Sequence, residues 1–274
     1  MRPSPLRVAL GMCAAPALAF FAAFWLLPMA RLISVGAGGP EGGWAYLDIL
    51  THPAYRRSFV ATTLLAIGVT LSTLVLASVT GVFLERHRFA GRRLVVTLIT
   101  FPLAFPGVVV GFLVIILVGR QGIITLVIDA VFGSSSALAY GLVGLYLGYL
   151  YFSLPRVIVT MMAAASKLDS ALEEAARSLG ASRWQVVRDV ILPALAPALV
   201  ASGAICFATA MGAFGTAFTL ATRVTVLPIT IYNEFTNYAN FASAASLSIV
   251  LGVITWLALF IARSLAGAAV VAGA

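Results

Sequence analysis

Six apolar runs divided by short polar stretches make up most of the chain: roughly Val8 to Ile33, Phe59 to Phe83, Leu94 to Val118, Leu138 to Met162, Leu195 to Phe218 and Phe241 to Ile261. Each is long enough for the ~20 apolar residues that a membrane-crossing helix needs. Lipid satisfies no free backbone N–H or C=O, so runs of this length predict helices. The expected fold class is all-α integral membrane, with six transmembrane helices in one domain, residues 1–274. Between the fourth and fifth runs lies a polar loop, about 168–193, patterned as two short helices. Asp169 or Ser170 would cap the first, Glu173 and Glu174 suit the positive end of its dipole, and Gly180 supplies a break. In the second piece Trp184, Val187, Val190 and Ile191 share a face, while Arg183, Arg188 and Asp189 point elsewhere. Pro193 and Pro197 then permit a bend and restart into the fifth span. Ser34 to Ser58 and Ala221 to Asn240 read as external loops by composition.

Composition and charge orient this pattern. With 62% hydrophobic and 9% charged residues and a mean hydropathy of +1.07, too little polar surface remains for a soluble domain. The net charge of +8 is mostly topology. Arg2, Arg7, Arg86, Arg88, Arg92, Arg93, Arg156, Lys167, Arg177, Arg183, Arg188 and Arg263 fall on one side; Arg31, Arg56, Arg57, Arg120 and Arg223 fall on the other. The positive-inside rule therefore expects both termini and the 168–193 loop in the cytoplasm. Basic residues spread over helix ends do not form the clustered face of a nucleic-acid binder. Arg2 and Arg7 ahead of an apolar run imitate a signal peptide, but the run continues to Met29, so an uncleaved first span is expected. Cys13 and Cys206 fall inside spans, which argues against a disulfide between them.

Candidate chemistry within the spans is sparse. Ionisable side chains are almost absent from them, which disfavours a proton-coupled carrier, and His52 and His87 read as loop histidines. Pro102 and Pro106, with Phe101 and Gly107, should kink the third span near mid-membrane, as a gate or as a packing device. Tyr146 and Tyr149, with Tyr140 further out, share a face of the fourth span; they serve interhelical packing or an aromatic wall suited to organic cations. The fifth span is rich in small residues and is expected at the centre of the bundle. At its outer end Met211, Phe214, Thr216 and Thr219 lead to a mixed aromatic, amide and acidic run, Ile231 to Tyr238, in which Glu234 could belong to an outer gate. No metal-ligand set and no nucleophile with its base is placed for catalysis. A self-contained secondary carrier is the alternative of another class, but the kinked third span has no evident counterpart in the other half. No G-x-x-x-x-G-K-[ST] loop occurs, so no part of this chain is expected to hydrolyse ATP.

Glu174, Ala175 and Ala176, then Gly180, and finally Val190 followed by Leu192 and Pro193 resemble the EAA signature of ABC importer permeases, with valine in the usual isoleucine place. The resemblance implies a permease subunit of a type I ABC importer in a bacterial inner membrane, not itself an enzyme. Its loop would be the coupling helix, with Glu173, Glu174, Ala175, Ala176, Gly180, Leu192 and Pro193 transmitting the closure of a separate ATPase. The implied partners are two ATP-binding subunits that hold the ATP and magnesium, a second identical or related permease, and a periplasmic or lipid-anchored solute-binding protein. Pro102, Pro106, Tyr146, Tyr149, Met211, Phe214 and Glu234 are the candidates for the path or its gate. The stretch Gly212 to Phe235 resembles the branch that handles polyamines, phosphonates, ferric iron, thiamine and sulfate, with spermidine/putrescine-type permeases closest and 2-aminoethylphosphonate-type next. Glu234 and the tyrosines fit a polyamine; Arg223 fits an anion. A small solute such as a polyamine is the expected substrate, with 2-aminoethylphosphonate, ferric iron or another small anion as the alternative.

Overall fold

The computed structural model describes residues 14–39, 42–133, 139–222 and 224–272. Arg2, Arg7, Cys13 and Arg223, and with them the signal-peptide question, lie outside the described residues. Among the described residues all regular structure is helical, and six helical runs are long and apolar enough to cross a membrane. In chain order, α1 (Ala14–Gly36) contains a π-helical turn at Ala22–Leu26. A 3₁₀ turn, Gly42–Leu47, leads to α2 (Asp48–Thr51), α3 (Pro53–Arg86) and α4 (Arg92–Thr100). After a further 3₁₀ turn at Phe101–Ala104 come α5 (Gly107–Val118), α6 (Ile123–Phe132), α7 (Leu142–Ala165) and α8 (Ser170–Ser178). Next, α9 (Arg183–Val186) runs through a π turn, Val187–Ile191, into α10 (Leu192–Met211). Finally α11 (Phe214–Leu220), α12 (Leu227–Thr236) and α13 (Phe241–Ala272) complete the chain.

Two compact units form. One takes α1, α2, the start of α3 as far as Arg56 and the segment Ile231–Val250; the other takes Arg57–Thr230 and the rest of α13. In the larger unit α5 packs on α7 and α11, and α10 lies along α7. Leu145, Met161, Met211 and Leu220 are fully buried there. Glycine permits the closest of these approaches. A methyl group at Gly111 of α5 would overlap Thr219 Oγ1 and come within 2.8 Å of its Cβ. Overfilling a packed interior costs about 1–3 kcal/mol, so Gly111→Ala is expected to lower the melting temperature of the detergent-solubilised protein measurably. An unchanged melting curve would show that α11 yields freely. A chain of hydroxyls fixes the start of α12: the Leu227 N–H donates to Thr62 Oγ1 at 2.8 Å, Thr62 donates to the Ser58 carbonyl at 2.7 Å, and Thr230 donates to Ser58 Oγ at 2.8 Å.

Several sequence expectations change. The third run, Leu94 to Val118, is not one kinked helix. The chain leaves helical geometry at Phe105 and Pro106, both in extended backbone, because Pro106 cannot donate and disfavours helix in the residue before it. The stretch long and apolar enough to cross is instead Gly107–Val131, so the break falls at its start rather than at its middle. The fifth run, Leu195 to Phe218, is also interrupted, at Gly212 and Ala213. Ala221 to Asn240, expected as a loop, contains α12, which has Pro228 in its first turn where a missing N–H is harmless. Ser34 to Ser58 likewise holds the 3₁₀ turn, α2 and the start of α3. Pro193 and Pro197 do not open a gap before the fifth span; the helix runs through the π turn into α10 without a stop, with Pro193 in its first turn and Pro197 inside it.

Candidate functional site

The segment from Asp169 to Ile191 is a helix-turn-helix whose ends are capped by its own side chains. Asp169 Oδ1 accepts the Ala171 N–H at 2.9 Å at the start of α8. Past its end, the Leu179 N–H bonds the Ala175 carbonyl at 3.1 Å and the Ala181 N–H bonds the Ala176 carbonyl at 3.0 Å. The second of these bonds requires the left-handed backbone that Gly180 adopts, with φ +87°. Ser182 and Gln185 then form a reciprocal capping box at the start of α9. Ser-x-x-Gln is the sequence signal for that motif, and the sequence analysis missed it. The expected apolar stripe of the second piece is altered: Val186 is the buried anchor, while Trp184 is 70% exposed and Val187 is exposed too. The π turn adds a residue to the repeat and so shifts the face.

Glu173 is placed differently from its neighbours. It is only 5% exposed, and Arg86, in the last turn of α3, grips it with both guanidinium nitrogens: Nη1 donates to Oε2 at 2.6 Å and Nη2 donates to Oε1. Arg177, one turn on, lies 3.7 Å from Oε2. Glu173 therefore secures the element to α3 and offers no free carboxylate to a partner. Exposed on the element are Glu174, Ala175 and Gly180, with Leu172, Leu179 and Trp184; Leu192 and Pro193 are exposed where α10 starts, and Ala176 is half-buried. Leu179 is 89% exposed. Large apolar side chains thus stand exposed on a short, doubly capped and clasped peg.

The larger unit also holds a cleft of about 210 Å³ lined by Gly107, Tyr149, Phe152, Ser153, Thr209, Ala210, Gly212, Ala213, Gly215 and Thr216. Both helix interruptions open onto it, the one ahead of α5 through Gly107 and the one ahead of α11 through Gly212 and Ala213. The Tyr149 hydroxyl donates to the Ala213 carbonyl at 2.8 Å and Thr216 Oγ1 donates to the Gly107 carbonyl at 3.0 Å, pinning both breaks.

Of the path candidates, Tyr149 reaches this cleft and Pro106 precedes it directly. Tyr146 sends its hydroxyl to Ser72 Oγ at 2.5 Å, so both phenols act in helix packing. Pro102 and Met211 are buried in the bundle, and Phe214 is partly exposed beside Phe218. Glu234 belongs to the smaller unit. It is 8% exposed and bonded by the Tyr55 hydroxyl, near a broad groove lined by Asp48, His52, Tyr55, Tyr238 and Asn240.

Arg156 was counted by its side alone, although the fourth apolar run encloses it. It lies inside α7, nine residues before its end. Its guanidinium stacks on Phe152, 5.1 Å from the ring centroid, and Nη1 donates to Thr209 Oγ1 at 3.3 Å. Position alone was a signal, since Arg156 stands inside the apolar run Leu138 to Met162 and not at its edge.

The sequence profile of a family described as binding-protein-dependent transport system inner membrane component matches residues 74–269. The sulfate transport system permease protein CysT of Escherichia coli (strain K12) is 30% identical over 241 residues, covering 84% of this chain and 83% of that protein. The molybdenum transport system permease protein ModB of the same strain is 29% identical over 226 residues, covering 80% of this chain and 96% of its own. A crystal structure of a bacterial ABC transporter involved in the import of the acidic polysaccharide alginate contains a chain that superposes with a TM-score of 0.80 at 18% identity, over 94% of both chains. The inward-facing MetNI methionine ABC transporter gives 0.62 at 17% identity, over 81% of this chain and 98% of that one. At those identities the structures speak for the fold alone.

Proposed function

The chain belongs to the binding-protein-dependent transport system inner membrane components, and on that premise we propose that it forms half of the translocation path of an importer for a small oxyanion. It is a multi-pass inner-membrane protein and a permease subunit of an ABC importer. The observation that carries the coupling role is the clasped element at Asp169–Ile191, which presents Leu172, Leu179 and Trp184 beside the EAA residues Glu174, Ala175 and Ala176. This surface takes a groove of a separate ATPase, which supplies the ATP and magnesium. Two such subunits, a second permease and an external solute-binding protein complete the assembly, with both termini and the coupling element on the cytoplasmic side. Closure of the ATPase pair draws the two coupling elements together and turns the path outward toward the loaded binding protein.

For the substrate, the relatives named above belong to sulfate and molybdenum systems, which favours the small-anion alternative over a polyamine. Glu234, the residue that fitted a polyamine, is engaged by Tyr55.

The test is uptake in proteoliposomes holding the complete importer and its binding protein, with labelled sulfate, molybdate and spermidine. Uptake of either oxyanion, with none of spermidine, is expected; the reverse would overturn the oxyanion reading. Glu174→Lys is expected to cut uptake at least tenfold while the chain still inserts and co-purifies with the second permease, because the reversed charge meets the ATPase surface. Wild-type uptake by that variant would remove Glu174 from coupling.

A further inference from the structure

We propose that Arg156, Ser153 and Thr209 form an anion-binding site on the translocation path, at the cleft where the helix breaks ahead of α5 and α11 meet. The proposal rests on the oxyanion reading above and assigns it to particular atoms.

Depth is the first argument. Arg156 sits about 14 Å from the end of α7 along its axis, at ~1.5 Å per residue. A cation so placed is costly against lipid and occurs where it faces a bundle interior or a water-filled cavity. The side chain is nevertheless exposed in this chain taken alone, so its face looks onto an aqueous path or a partner, not onto lipid.

The second argument is neutralisation. Among the described residues no carboxylate lies within ion-pair distance of Arg156; the ion pairs there join Arg86 and Arg177 to Glu173, Arg92 to Glu85 and Arg188 to Asp189. A guanidinium carries five N–H donors, and only the long contact to Thr209 occupies one of them. Thr209 accepts that contact because its own proton goes to the Ile205 carbonyl at 2.7 Å. The site is therefore rich in donors, with no protein carboxylate among the described residues to neutralise it.

Ser153 supplies the third. One helical turn from Arg156 on the same face of α7, it is 6% exposed and lines the cleft, and among the described residues its hydroxyl makes no hydrogen bond. Its oxygen is open to the cleft and not sealed in the bundle, so it is free to donate to a solute there. Arg156 does not line the cleft itself but sits against Phe152 and Thr209, which do, so its charge and the Ser153 donor are offered to one oxyanion, as charge-assisted recognition requires. The volume is below the ~300–1,000 Å³ of pockets for drug-sized ligands and suits a small solute. A polyamine is disfavoured on both counts: the guanidinium repels it, and Arg156 already covers the Phe152 face that would attract a cation.

The test reads the potential of the cleft directly. In a background with Cys13→Ser and Cys206→Ala, Ser153→Cys in the assembled importer is treated with methanethiosulfonate reagents of opposite charge. The anionic reagent is expected to react at least tenfold faster than the cationic one, relative to their rates with a free thiol. Arg156→Gln is expected to abolish that preference, Arg156→Lys to keep part of it, and sulfate or molybdate to slow the reaction. No reaction with either reagent, or equal relative rates, would overturn the proposal. An anionic preference that Arg156 substitution leaves intact would do the same. If the preference holds but the wild-type importer moves neither sulfate nor molybdate, the oxyanion substrate is withdrawn and the anion site stands.

Discussion

Replacing Glu173 with alanine is expected to reduce uptake more than tenfold while the protein still inserts in the membrane. The carboxylate is held in a two-pronged grip by Arg86 across 87 residues of sequence, and this is where α8 is tied to the end of α3. Losing one partner of a buried pair costs about 3–5 kcal/mol, mostly through the charge left unpaired. Arg86 is 29% exposed, so solvent screens the loss and a figure of roughly 2–3 kcal/mol is appropriate. At 1.4 kcal/mol per factor of ten, that is about a 30- to 150-fold change in the docked fraction of α8. Arg86→Lys is expected to be intermediate, because an ammonium cannot make the paired contact of a planar guanidinium. Arg86→Ala is the harsher change locally, since it strands a buried carboxylate with only Arg177, 3.7 Å away, as a substitute. The checks are uptake and ATP consumed per substrate moved, in proteoliposomes of the complete importer. Continued ATP hydrolysis with little uptake is the expected signature of a peg that no longer moves α3. Full uptake by Glu173→Ala would show that the clasp has no part in transmission.

Local features of this molecule were legible in its sequence, and features made by distant segments were not. Apolar run length found that six stretches cross, although it set the third at Leu94 to Val118 where Gly107–Val131 crosses, and capping chemistry found the start of α8 at Asp169 and the turn at Gly180, because each depends on neighbours within a few residues. The EAA spacing found the element itself. Nothing local could report that Glu173 turns inward while Glu174 stays exposed, since the difference is made by Arg86 on another helix. The break at Gly212 and Ala213 was hidden for a similar reason. Glycine and alanine in an apolar run read as small packing residues, and it is the Tyr149 hydroxyl on the Ala213 carbonyl that holds the non-helical backbone. Phase was lost as well as partners: a π turn cannot be read from hydrophobic periodicity, so Trp184 was expected on the same face as Val190. Arg156 was lost by bookkeeping of sides, because counting basic residues for topology treats each as a loop residue and overlooks the one within a span.

Gly180→Pro is expected to abolish uptake, and a graded series at this position separates backbone from contact. At φ +87° an L-residue carries a penalty of roughly 1–2 kcal/mol, and asparagine suffers least among the non-glycine residues. A methyl group there would meet nothing within 4 Å, so alanine brings the backbone penalty alone. Proline is fixed near −65° and also deletes the N–H that donates to the Arg177 carbonyl at 2.9 Å. It cannot occupy this turn, and α8 must leave α9 at another angle. The expected order of uptake is glycine, then asparagine, then alanine, then proline, with proline below a tenth of wild type. Melting temperatures in detergent should barely change across the series, because the turn is exposed and distant from the buried core of the bundle. An order that followed side-chain size would mean that the partner surface lies against Gly180 itself. Full uptake with proline would mean that the angle between the two short helices is irrelevant, which would remove the rigid peg from the coupling mechanism.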